Sequence, residues 1–121
     1  MGAPAPMNPA RPAPGALLLP IADIGDPEAR AVDFRSGDAL FSLVIVRRGD
    51  LIVAYENDCP HARQPMERPD GRVVMLERKY LVCSAHGASF RLEDGVCVGG
   101  PARSGLAPFP VQTRNGVIYA A

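Results

Sequence analysis

No apolar segment of this sequence approaches membrane-spanning length, so no helical span is expected within it. The nearest candidate, Leu17-Leu18-Leu19, follows Arg11 and is cut off by Pro20. It is too short for the apolar core of a secretory signal, so the expected location is the cytoplasm, with no membrane partner. Net charge is missing too: Lys and Arg total 13, and Asp and Glu total 13. Without a basic run there is no electrostatic grip on nucleic acid. No strand-like segment leads into Gly-x-Gly-x-x-Gly, so flavin or nicotinamide would have to reside on another protein. Three cysteines are an odd number, which argues against a disulfide scaffold. There is no internal repeat and no long amphipathic helical pattern.

What is present divides into a tail and one domain. Residues 1–15, MGAPAPMNPARPAPG, are almost all Ala, Pro and Gly. They carry too little apolar surface to offset their ordering entropy, and a disordered tail is expected. Residues 16–121 are near the usual size for a single core. β-Branched and aromatic runs bounded by turn residues predict strands at 17–21, 31–35, 41–47, 51–55, 73–76, 80–82, 89–92, 96–98, 109–113 and 117–120. Arg48-Gly49-Asp50, Glu93-Asp94-Gly95 and Arg114-Asn115-Gly116 read as turns, the last with an Asn-Gly hairpin signal. Two stretches break the pattern: 57–71, with three prolines, and 83–88. Both read as loops. Many short strands with frequent turns predict an all-β fold, an antiparallel sandwich or barrel. The two loops lie between strand pairs, where they can converge into a small subdomain at about 57–102.

The chemistry-bearing residues sit in those loops. Cys59-Pro60-His61 is followed, after residues 62–82, by Cys83-Ser84-Ala85-His86. The chain's only two histidines thus each lie within three residues of a cysteine. Each loop offers one soft thiolate and one imidazole. A [2Fe–2S] cluster with two thiolates on one iron and two imidazoles on the other needs this inventory. Two Cys and two His also make a zinc inventory. Zinc fingers, however, pair like ligands together, whereas here both pairs are mixed, which fits the cluster better.

The pattern Cys-x-His followed by Cys-x-x-His resembles the Rieske family. The flanks agree: CPHA at 59–62, CSAHGASF at 83–90 and GVCVGGPA at 95–102. The resemblance implies one [2Fe–2S] cluster per chain, with Cys59 and Cys83 on the inner iron and His61 and His86 on the outer one. It also implies one-electron transfer by a ferredoxin-type carrier. The implied partners are a reductase and a terminal oxygenase, or else the other components of a nitrite reductase-like complex. The spacing between the loops is longer than in most small members, and 66–72 (MERPDGR) is expected to carry the excess as a surface loop. Respiratory members bridge the loops by a disulfide; here the matching positions are Gln64 and Ala85. They also place a serine where this chain has Ala88. Fewer hydrogen bonds to the sulfurs imply a potential low in the Rieske range, about −150 to 0 mV.

The remaining features have plainer readings. Cys97, in Val96-Cys97-Val98, reads as a small apolar filler in a strand. Gly99-Gly100-Pro101-Ala102 resembles the family's loop that shields the cluster. Arg63, Arg68, Arg72, Arg78 and Lys79 are interspersed with Glu67, Asp70 and Glu77, and read as a solvated loop rather than a docking patch. An oxygenase needs a further iron held by two histidines and a carboxylate. Both histidines are already assigned, so a carrier, not an enzyme, is expected.

Overall fold

The computed structural model describes residues 8–60, 64–84, 87–100 and 104–121. Its strands are β1 (Leu17–Pro20), β2 (Glu28–Ser36), β3 (Ala39–Arg48), β4 (Leu51–Glu56), β5 (Val74–Leu76), β6 (Tyr80–Val82), β7 (Ser89–Arg91), β8 (Cys97–Gly99), β9 (Val111–Arg114) and β10 (Val117–Ala120). One turn of 3₁₀ helix at Ile21–Asp23 follows β1. The strands form three antiparallel sheets, ordered β1-β10-β9, β2-β3-β4 and β5-β6-β7-β8. The all-β antiparallel expectation is thus met.

The middle sheet holds the other two, and β3 explains why. Its residues Leu43, Val44, Ile45 and Val46 are all fully buried. Alternate residues of a strand face opposite sides, so a continuous apolar run requires cover on both. Leu43 and Ile45 enter one core with Leu18, Ile118 and Phe109 from the β1-β10-β9 side. Val44 and Val46 enter a second core with Leu81, Phe90, Cys59 and Cys83 from the β5–β8 side. Each such side chain stabilises the fold by about 1.5–3 kcal/mol on burial.

Local chemistry sets the connections. β9 and β10 pair Arg114 with Val117, leaving Asn115 (φ 50°) and Gly116 (φ 76°) as the turn. Two successive positive φ values define the type I′ hairpin that Asn-Gly favours. β9 begins at Val111, not at 109, because Pro110 has no N–H to donate to a ladder. Phe109 instead donates its N–H to Ala54 O at 2.9 Å and buries its ring. β8 is shifted one residue from the expected 96–98: Val96 is exposed, while Cys97 pairs with Phe90 and faces the core.

Residues 8–15 correct the expected tail. Asn8 Nδ2 donates to Leu40 O at 2.7 Å, and Gly15 N donates to Ala120 O at 2.8 Å. Ala10 is buried in the Leu43 core. The Arg11 guanidinium stacks 5.1 Å from the Phe41 ring centre and 4.8 Å from that of Phe109, and pairs with Glu56 at 3.6 Å. Composition alone misses this, because one cation over two rings anchors a stretch with little apolar surface. Residues 1–7 lie outside the described residues.

Replacing Arg11 by Ala should lower stability by about 1 kcal/mol, through lost stacking and a half-exposed ion pair. Urea unfolding of the two proteins measures it, with an equal m-value and a lower midpoint expected.

Candidate metal centre

The first cysteine loop leaves β4 after Glu56. Cys59 N donates to Gln64 O at 2.9 Å, and the two residues form an isolated antiparallel bridge. The chain therefore doubles back within six residues, with the fixed φ of Pro60 inside the turn. The second loop follows β6. Cys83 N donates to Ala88 O at 2.9 Å, and Gly87 N returns to Cys83 O at 3.0 Å. Gly87 has φ 74°, a left-handed conformation that costs a residue with a Cβ about 1–2 kcal/mol. Both thiol-bearing residues are buried, Cys59 at 0% and Cys83 at 1% exposure. They belong to one apolar cluster with Met66, Leu81, Ala88 and Phe90. His61 and His86, with Ala85, lie outside the described residues.

The two loops are bonded to each other. Ser84, beside Cys83, donates its N–H to Met66 O at 3.3 Å and its hydroxyl to Glu67 O at 3.1 Å. Met66 was expected at the surface with the rest of 66–72; it is instead fully buried in the same cluster. Arg68, Pro69, Asp70 and Arg72 are exposed as expected, and the segment is tied to β2 by Ala31 N, which donates to Gly71 O at 2.8 Å. Glu67 is also not a free loop charge, since Asn57 Nδ2 donates to its Oε1 at 2.8 Å. Asn57 carries no motif in the sequence; its one local signal is a polar side chain directly after an apolar strand, at the neck of a cysteine loop.

A third segment closes on the second loop. Gly100 has φ 82°, and a Cβ there would lie 2.6 Å from Ala88 Cα and 3.0 Å from Gly87 O. This is the described part of the expected shielding loop; Pro101 and Ala102 lie outside the described residues. Cys97 Sγ meets Gly99 O at 3.5 Å and packs against the cysteine cluster from β8. Beneath the site, Tyr55 is buried and donates its hydroxyl to Leu92 O at 2.8 Å. Its pKa is pushed up to about 12, by burial first and then by the Asp94 and Glu93 carboxylates.

Chemically, two thiols in one water-poor pocket, on loops fixed to each other, fit the sulfur half of a [2Fe–2S] ligand set. The Rieske [2Fe-2S] domain model matches residues 19–110. The 3-phenylpropionate/cinnamic acid dioxygenase ferredoxin subunit of Escherichia coli (strain K12) is 28% identical over 100 residues, covering 83% of this chain and 86% of that protein. The same subunit of Shigella flexneri serotype 5b (strain 8401) matches equally. Among solved structures, a complex of reduced oxygenase and oxidized ferredoxin in carbazole 1,9a-dioxygenase has a chain 26% identical, with TM-score 0.70, covering 87% of this chain and 99% of that one. The ferredoxin of carbazole 1,9a-dioxygenase from Nocardioides aromaticivorans IC177 shares the fold at TM-score 0.74 and 18% identity, covering 90% and 98%.

Gly100→Ala should destabilise by more than about 2 kcal/mol, since it adds a backbone clash to the cost of positive φ. Gly87→Ala, with open space around its Cβ position, should cost only about 1 kcal/mol. Urea unfolding of both variants gives the ranking. Tyr55 has a pH signature. Its folded pKa lies above the ordinary 10.0, so its stabilising contribution is full below pH 10 and is lost as pH rises toward about 12. The stability difference between wild type and Tyr55→Phe should therefore shrink across that window, as measured by unfolding at stepped pH.

Proposed function

The chain belongs to the Rieske [2Fe–2S] domain family, and on that premise we propose how its four candidate ligands and its partners are arranged. The domain binds one [2Fe–2S] cluster and works as a one-electron carrier. Cys59 and Cys83 hold the inner iron, and His61 and His86 the outer one. The observation that carries this assignment is the pairing of the two cysteine loops: Ser84 bonds to Met66 and Glu67, and both cysteines sit in a single buried cluster. The ligand subdomain spans about 57–102 and includes β5–β8, which lie between β4 and β9 in the chain.

When bound, the cluster supplies reversible one-electron chemistry. The chain's own residues set its surroundings. The apolar cluster of Met66, Leu81, Ala88 and Phe90 keeps water from the sulfur side. The N–H groups of Cys59, Cys83, Ser84 and Gly87 are already engaged by protein carbonyls. Ala88 brings no hydroxyl. Among the described residues, these four donors are thus turned to carbonyls rather than to sulfur, which supports a potential low in the Rieske range, about −150 to 0 mV.

The electron donor is a reductase that carries its own flavin or nicotinamide site, and the acceptor is a terminal oxygenase. The similarity to dioxygenase ferredoxin subunits and to a ferredoxin solved with its oxygenase supports this acceptor. The location we infer is the cytoplasm, in keeping with the similarity to dioxygenase ferredoxin subunits. Leu17–Pro20 form β1, hydrogen-bonded to β10. Among the described residues, no helix is long and apolar enough to cross a membrane.

Absorption and electron paramagnetic resonance spectra of the purified protein test the assignment. The wild type should be coloured and give a Rieske-type signal on reduction. Cys59→Ser and Cys83→Ser should abolish it, His61→Ala and His86→Ala should abolish or alter it, and Cys97→Ser should leave it intact. A colourless wild type containing zinc, prepared without oxygen, would overturn the assignment.

A further inference from the structure

Among the described residues, Asn57 is the one buried polar side chain, at 8% exposure. Its Nδ2 donates to Ser42 Oγ at 3.0 Å and to Glu67 Oε1 at 2.8 Å, and its Oδ1 accepts from Met66 N at 2.8 Å. Its main-chain N–H donates to Ser42 O at 3.0 Å. The amide can face only one way, because a main-chain N–H cannot accept and a carboxylate cannot donate. Asn57 therefore joins β3 to residues 66–67, the return limb of the first loop. That limb is also the one Ser84 bonds, through the carbonyls of Met66 and Glu67. Residues 66–67 thus face Asn57, two positions before Cys59, with a side chain and an N–H. They face Ser84, one position after Cys83, with two carbonyls.

We propose that the Asn57–Glu67 pair is a positioning bracket that sets the separation of the Cys59 and Cys83 loops. The proposal rests on the reading of those cysteines as ligands. A pair of directional bonds in a partly buried site holds distance more sharply than apolar packing, because each bond weakens steeply with angle and length. The charge at Glu67 has a further role. It makes the bond charge-assisted, and so about twice as strong as a neutral pair. Groups that orient metal ligands in this way typically change metal affinity by about 10–100-fold when removed.

The bracket is tested by exchanging its polarity. Asn57→Asp keeps the acceptor for Met66 N but sets a carboxylate oxygen against Glu67, where the two repel. Combined with Glu67→Gln, the donor returns on the opposite side of the bond and the total charge equals that of the wild type. The loss of visible absorbance after adding a chelator gives the rate at which the loaded protein sheds its cluster. The paramagnetic resonance spectrum of the reduced protein reports ligand geometry. Asn57→Asp should lose absorbance about tenfold faster and show shifted or broadened features, and the double variant should recover both toward wild type. Glu67→Ala, which removes the partner without adding a buried charge, should show the same loss and serves if Asn57→Asp fails to fold. A loaded wild type whose variants keep its rate and spectrum overturns the bracket alone, as does a double variant no better than Asn57→Asp. A wild type that binds no cluster overturns the ligand reading and the bracket with it.

Discussion

The molecule depends on one strand being buried on both faces. Leu43 and Ile45 of β3 point into one core and Val44 and Val46 into the other, and all four are inaccessible to solvent. A strand in that position cannot be solvated on either side without losing several kcal/mol of apolar burial. The β1-β10-β9 sheet and the β5–β8 sheet must therefore pack against it from opposite directions. This places both cysteine loops on a rigid wall, since Cys59 and Cys83 lie in the cluster that Val44 and Val46 help to form. A site built on such a wall is held more closely than one on free loops.

Around that wall the structure uses polar contacts sparingly and at the necks of loops. Asn57 follows the apolar course of β4 and starts the first cysteine loop. Ser84 starts the second. Each loop is closed by a backbone hydrogen bond at its cysteine, Cys59 to Gln64 and Cys83 to Ala88. These bonds satisfy amides that would otherwise face an apolar pocket at a cost of about 1–3 kcal/mol each. The same bonds hold the two loops rigid and engage amides that would otherwise be free to donate elsewhere.

Family membership brings the cluster and the carrier role. The fold contributes the convergence of two segments that are far apart in the chain. The Arg11 stack on Phe41 and Phe109 adds a clamp near the start of the first loop, through its ion pair with Glu56. The stretch read as a tail is therefore part of the support for that loop from residue 8 onward.

By itself the sequence determined the chemistry and the class of fold. Two mixed Cys/His pairs specify a ligand inventory whatever the backbone does, and β-branched and aromatic runs bounded by turn residues such as Asn-Gly specify short antiparallel strands. Pattern also located most strands, because strand propensity and turn residues are local properties. What only the tertiary structure decided was who meets whom. Met66 read as surface because its neighbours are Pro65, Glu67 and Arg68, yet it is fully buried in the same cluster as Cys59 and Cys83. Glu67 read as one charge among many until Asn57, ten positions earlier, was seen to hold it. Residues 8–15 read as tail because stacking on rings thirty and a hundred positions away leaves no mark on composition. Contacts between distant segments are set by how sheets pack, and no window along the chain contains both partners.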